Sequence, residues 1–408
     1  QWYAGCTPDL IQMVIDGAIV MKRLGLFLLL LLPLTALAQN PEDVASGPTA
    51  TQPQAGKGYT AAYVIEPTTR RVLFAENEHA SMPTASMAKM MTLLITMEEI
   101  RDNRLKLTDP VKISARASKM GGSQIFAKEG QIFPVQTLIA ATMVHSANDA
   151  AQALAEKIAG SSEAFADLMN QRAQELKLTH SRFVDPHGLP PSTPGGPQNM
   201  MCAHDLAMLG IENMKHPLLR QYAAMPTMPF VNGTFTSGMT NPNHLLRFYE
   251  GATGIKTGYS VPAGFCVTAS AQRAGMELVA VVMGAKTSRG PLSSFEIAAR
   301  LMNTAFVNYR MVTAVKKGAA VGQASVTEGK VKTVPAVAAT DAKALVKRGE
   351  ENTVKVAFAG GAVQAPVRAG QPVGSVVVQM GNQVLSRTPA VAGAAVPKQP
   401  WWMKFWPF

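Results

Sequence analysis

Ser86 stands three residues before Lys89 in PTASMAKMMTLLITM, residues 83–97, at the head of an apolar run with helical spacing. One turn apart on a helix, the two side chains share a face. A serine hydroxyl is a weak nucleophile near neutral pH and needs a base beside it. A lysine kept neutral by burial and by neighbouring cations is such a base. Ser86 is therefore the candidate nucleophile and Lys89 the candidate acceptor of its proton. On its own, Ser-x-x-Lys is common enough to be a solvated helix start with an ordinary lysine. Two further fragments add weight: Ser146-Ala147-Asn148 in HSANDA, and Lys256-Thr257-Gly258 in TGIKTGYS. Lys256 and Thr257 offer a cation and a hydroxyl suited to a terminal carboxylate, and Gly258 permits close approach along a strand edge. The plainer alternatives are a helix N-cap pair for Ser146 and Asn148, and an exposed turn for Lys256 to Gly258.

Elements must hold these residues in place. TAAYVIEPTTRRVLFAE predicts a hairpin turning at Pro67-Thr68-Thr69, ahead of the helix that follows Ser86. VQTLIAATMVHS, NDAAQALAEKIAG and SEAFADLMNQRAQELKL carry apolar residues at three- and four-residue spacing, so Ser146 to Asn148 falls between two helices. GFCVTASAQRAGMELVAVVMGA gives two strands about Ala274-Gly275, and SSFEIAARLMNTAFVNYR a closing helix. Strands at both ends of a helical middle predict an α+β domain over residues 58–310. Short Val- and Ala-rich segments (TVKVAFAG, APVRAG, GSVVVQM) predict a small all-β domain over 311–392.

With the three motifs in this order, the chain resembles the low-molecular-mass penicillin-binding proteins, specifically the serine D-alanyl-D-alanine carboxypeptidases. The resemblance runs from about Gly58 to Arg310 and takes in GGSQIF at 121, DPHGL at 185, CAHDLAMLG at 202 and the AGFCVTASA strand. It implies a serine β-lactamase-like fold, with the active site in a groove between an antiparallel sheet and a helical lobe. It also implies an acyl-enzyme on Ser86, removal of the terminal D-alanine from peptidoglycan pentapeptides, and acylation by β-lactam antibiotics. Ser146 would relay a proton to the departing amine, and Asn148 would hold the substrate backbone. The backbone N–H of Tyr259 would join that of Ser86 at the developing oxyanion. The chain departs from the family in two places: Ala147 stands where relatives have glycine, and Arg289 is the nearest candidate for an arginine near the carboxylate. A D,D-endopeptidase and a serine β-lactamase share the motifs; a catalytically silent wall-binding protein is the non-enzymatic alternative. Against the β-lactamase stands the lack of a Glu-x-x-x-Asn segment between Asn148 and Lys256 to activate a deacylating water.

The chain has 408 residues, 47% of them hydrophobic and 16% charged, as in an ordinary globular protein of about two domains. MKRLGLFLLLLLPLTALAQN, from Met21, has the grammar of a secretory signal with a small-residue cleavage site at 36–38. The expectation is upstream sequence over 1–20, a signal over 21–38, a linker over 39–57, and a mature protein at the periplasmic face of the inner membrane. A net charge of +11 with scattered basic residues and no nucleic-acid motif favours anionic envelope surfaces over nucleic acid. Residues 393–408 end in PKQPWWMKFWPF. There Trp401 and Phe405, and Trp402 and Trp406, stand four apart, and with Lys404 they suit a membrane interface. Docking of the tail on its own domain is the plainer alternative. No metal and no cofactor are expected, because the seven histidines at 79, 145, 180, 187, 204, 216 and 244 show no ligand spacing. Cys202 and Cys266 suit either one disulfide or two buried thiols.

Overall fold

The computed structural model describes residues 58–232 and 235–404. The expected signal, linker and final four tail residues lie outside these.

Two strands open the described chain, β1 (Ala61–Glu66) and β2 (Arg71–Glu76), and three follow late, β3 (Ala252–Ser260), β4 (Gly264–Arg273) and β5 (Met276–Ala285). They form one antiparallel sheet in the order β2-β1-β5-β4-β3. The first hairpin turns because the buried Glu66 carboxylate accepts from the amides of Thr68 and Thr69 and from the Thr69 hydroxyl. The second turns at Ala274 and Gly275, both at positive φ (47° and 77°), as a two-residue hairpin loop requires. β1 joins the late strands by pairing with β5, Val64 opposite Ala280, so the sheet unites the two ends of the domain.

Strand periodicity divides the core. Val279, Val281 and Met283 of β5 face the helical lobe, whereas Leu278, Ala280 and Val282 face the closing helix. The lobe is built on α1 (Lys89–Arg101), α2 (Val135–Val144), α3 (Asn148–Ala159) and α4 (Ala203–Met214); the opposite face is covered by α5 (Ser294–Asn308). α1 is buried continuously from Lys89 to Met97, so it is the axis of the lobe and not a surface helix. The fold is thus the α+β architecture expected, a sheet between two helical layers, with β3 at its edge beside the lobe.

The C-terminal domain is all-β. A two-stranded ladder, Tyr309–Val315 with Ala342–Lys347, stands beside a six-stranded sheet, and Val and Ala fill the core between them. APVRAG is not a continuous strand: only Val367 bridges, to Val396, because Pro366 has no N–H and Gly370 turns the chain. Lys398 bridges to Gly329 and the Gln399 amide donates to Glu328 O, so the chain stays on this domain as far as Gln399. Cys202 and Cys266 are both free and buried.

Candidate active site

Ser86 lies on a 3-10 turn, Ala85–Ala88, that runs directly into α1. The turn is entered through Thr84, whose amide donates to Asn199 O, and through Ala85, which takes φ = 46°. A non-glycine residue at positive φ persists only where its surroundings enforce it. Here the enforcement comes from two sides. β3 presses its Gly258 against the turn, where any Cβ would come within 2.7 Å of Thr84 O and 3.2 Å of Met87 Cγ. The loop Asp185–Leu189 presses from the other side.

Lys89 Nζ donates to Ser86 Oγ at 2.8 Å and to His187 O at 2.6 Å. Across the groove, Lys256 Nζ donates to Ser146 Oγ at 2.7 Å and to Thr257 O at 3.2 Å. Ser146 sits at φ = 61° between α2 and α3. Both lysines are buried, Lys89 at 0% and Lys256 at 2% exposure. Burial pushes the Lys89 ammonium well below its ordinary value, and the charge of Lys256 pushes the same way against weaker opposing fields from Asp185 and Asp149. Burial alone lowers Lys256 from 10.5 to about 7.

That shift has a consequence for stability. Between pH 7 and 10.5 the unfolded chain holds this proton and the folded chain does not, so stability rises with pH across the window. Below about 7 both states are protonated and the full cost of burying the cation remains. Lys256→Met should therefore be more stable than wild type at pH 6 and gain less between pH 7 and 10. Urea unfolding across that range measures it, and equal pH slopes in the two proteins would mean that Lys256 titrates normally.

The plainer reading of Ser146 and Asn148 as a cap pair does not describe the geometry. Ala147 is the N-cap of α3 and no side chain caps it. Instead, Asn148 Nδ2 donates to Gly121 O at 2.6 Å and its amide to Ser123 O, which fixes the GGSQIF segment over the groove. Asn148 Oδ1 is buried without a partner and remains an open acceptor. Thr257 is half-buried on β3; Tyr259 is 57% exposed and stacks on Phe265. The structure thus brings Ser86, Lys89, Ser146, Lys256 and Gly258 together where β3 packs on the serine turn and the lobe; Asn148 follows Ser146 on α3, and Thr257 and Tyr259 flank Gly258 on β3. Arg289 is exposed on the loop between β5 and α5, where its charge acts on His244. His145 accepts from the Thr240 amide, a packing contact.

Further residues complete the site: DPHGL is part of the resemblance, with His187 expected at the wall of the site, whereas Asp149 and Asn199 have no signal of their own in the sequence. Asp149 is buried and accepts from the amides of Ile125, Ala127 and Ala150, tying the 121–127 segment to α3. Asp185 accepts from the amides of His187 and Gly188, and Asn199 Oδ1 from those of Val184 and Asp185. Together they aim the His187 carbonyl at Lys89. The imidazole of His187 is lowered to about 4, chiefly by burial, so it is neutral at physiological pH.

A serine held against a buried neutral-prone lysine, with a second buried lysine on the sheet edge beside it, defines a serine acyl-transfer enzyme of the penicillin-recognising fold. Residues 48–287 match the D-alanyl-D-alanine carboxypeptidase family and residues 309–398 match the penicillin-binding protein 5 C-terminal domain. The D-alanyl-D-alanine carboxypeptidase DacF of Bacillus subtilis (strain 168) is 33% identical over 335 residues, 81% of this chain and 84% of its own. The crystal structure of penicillin binding protein 5 from Haemophilus influenzae, 25% identical, covers 86% of this chain and 100% of its own with a TM-score of 0.71. The ampicillin-bound form of penicillin-binding protein D2 from Listeria monocytogenes, 26% identical, covers 62% of this chain and 100% of its own with a TM-score of 0.55. The chain belongs to the D-alanyl-D-alanine carboxypeptidase family: it is a low-molecular-mass penicillin-binding protein of the serine carboxypeptidase type.

Proposed function

We propose that Ser86 attacks the penultimate D-alanine carbonyl of a peptidoglycan stem peptide while Lys89 takes its proton, and that the terminal D-alanine leaves from a Ser86 acyl-enzyme. The observation behind this reading is the 2.8 Å Lys89–Ser86 hydrogen bond at a fully buried lysine. Ser146 passes a proton to the departing amine, a role supported by its hydrogen bond from Lys256. Lys256 and Thr257 take the substrate's terminal carboxylate, Asn148 Oδ1 accepts from a substrate amide, and the N–H groups of Ser86 and Tyr259 receive the oxyanion. β-Lactams enter the same groove as acylating agents, in keeping with the ampicillin-bound relative. No metal or cofactor enters this scheme. Incubating the protein with a peptide ending in D-Ala-D-Ala, and separately with a fluorescent penicillin, tests it: D-alanine release and covalent labelling are both expected. Labelling with rapid drug turnover and no D-alanine release would favour the β-lactamase reading.

Localisation is part of the proposal: an exported enzyme held peripherally at the periplasmic face of the inner membrane by residues 401–408. Support comes from the sequence pattern and from Trp401 and Trp402, which are 76% and 53% exposed beyond the last strand contacts. Among the described residues no helix is long and apolar enough to cross a membrane; the interfacial reading rests on the aromatic residues and Lys404 of the tail. Deleting 401–408 should abolish co-sedimentation with anionic vesicles and leave hydrolysis of a soluble peptide unchanged. Equal sedimentation of both proteins would place the tail on its own domain.

A further inference from the structure

We propose that His79, His180, His204 and Cys202 form a zinc-class metal site, separate from the active-site groove. The donors come from three segments far apart in sequence, which is why spacing gave no hint of them. His79 lies in the connection after β2, His180 in the loop after the helix Ser162–Glu175, and Cys202 and His204 at the start of α4. Ligand atoms of His79, His180 and Cys202 all lie within 4.8 Å of one another, and so do those of Cys202, His204 and Asp205. The His79 ring is 5.0 Å from that of His180 and 5.2 Å from that of His204. Around a four-coordinate zinc with Zn–N of about 2.0–2.1 Å and Zn–S of about 2.3 Å, donor atoms stand about 3.3–3.6 Å apart. Small rotations of His79 and His180, both exposed, would close the remaining gap.

The surroundings supply what a metal site needs beyond its ligands. Asp205 is buried; one carboxylate oxygen faces His204 Nδ1 at 3.0 Å, and the other accepts from the His180 amide at 2.9 Å and Ser181 Oγ at 2.8 Å. Its oxygens are thus engaged, so Asp205 orients the ligands and does not join them, in the carboxylate–histidine–metal arrangement. With Nδ1 held by Asp205, the nitrogen His204 would offer the ion is Nε2. Thr179 Oγ1 lies 3.1 Å from His180 Nδ1, a contact between exposed groups that leaves Nε2 of that ring for the ion. Cys202 Sγ accepts from the Asp205 amide, at 3.4 Å, and retains lone-pair capacity for coordination; binding would release its thiol proton to solvent. The exposed imidazoles give the ion an entry path above a buried sulfur. One thiolate and three imidazoles suit zinc over magnesium or calcium.

Bound zinc would act as a clip. Met82–Pro83 pairs with Met200–Met201, and the His204 amide donates to Glu78 O. The ion would therefore fasten the segment leading to Ser86 onto α4.

The test uses the full chain with CoCl2 and ZnCl2 as probes. Co2+ should give the visible bands of a four-coordinate site with a near-ultraviolet thiolate band, Zn2+ should displace it, and either ion should raise Tm. His79→Ala and His180→Ala, at exposed positions, should each weaken binding at least about tenfold, and Asp205→Asn by about 10- to 100-fold. Cys202→Ser should lose the thiolate band, whereas Cys266→Ser keeps it. Penicillin labelling of His79→Ala and His180→Ala should be normal, so the result is independent of the catalytic assignment. Absence of a saturable cobalt spectrum at micromolar metal, or binding that survives the combined His79→Ala and His180→Ala change, would overturn the proposal. If Cys202→Ser fails to fold, the two histidine variants decide alone.

Discussion

Ser86→Ala should abolish covalent labelling by penicillin and reduce D-alanine release by on the order of a millionfold, as loss of a serine nucleophile does elsewhere. The fold should survive. Ser86 is only half-buried on its turn, and Lys89 keeps its bond to the His187 carbonyl at 2.6 Å, so removing one hydroxyl should change stability by no more than about 1 kcal/mol. Lys89→Ala should be equally inactive for a different reason and with a different cost. It empties a fully buried site and leaves the His187 carbonyl without its donor, which together should destabilise the fold by about 2–4 kcal/mol. Thermal unfolding beside penicillin labelling separates the two variants. Wild-type labelling of Ser86→Ala would refute the assignment of the nucleophile.

The sequence disclosed the parts of this site that are local. Ser86 and Lys89 meet because one helical turn separates them, and that distance can be counted along the chain. The two hairpins were legible for the same reason: Ala274-Gly275 sits between alternating strands, and its φ values follow from the loop length. Contacts closed only by the tertiary fold left less trace. Lys256 reaches Ser146 across 110 positions, and only motif order connected them before the structure did. The role of the Asp185–Leu189 loop falls to a backbone carbonyl, a group that every residue possesses and that no residue type announces. Asp149 belongs to no motif and stands in the first turn of a helix, yet it accepts three backbone amides and ties the 121–127 segment to α3. The histidine cluster is the extreme case, since three segments between residues 79 and 204 converge on one thiol. In the C-terminal domain, short Val- and Ala-rich segments foretold strands, but the missing N–H of Pro366 limited APVRAG to a single bridge.

Gly188→Ala should cripple acylation from a position that touches no substrate. Gly188 takes φ = 80°, and a Cβ there would overlap the backbone carbonyl of Ala85 and approach Ser86 N at 3.1 Å. Its amide is held by Asp185, and the preceding carbonyl holds Lys89. The loop cannot retreat without releasing that lysine, and the Ala85–Ala88 turn cannot shift without moving the nucleophile. A displacement of about 1 Å costs on the order of a hundredfold in rate, and a forced positive φ with a backbone clash should cost about 1–3 kcal/mol in stability. Gly160→Ala provides the control: Gly160 has the same φ of 80° at the end of α3, but a Cβ there meets nothing within 4 Å. It should lose about 1 kcal/mol and no acylation rate. Penicillin acylation rates and Tm of the two variants therefore separate backbone strain from loss of the wall around Ser86. If Gly188→Ala acylates as fast as Gly160→Ala, the loop does not hold the serine turn in place.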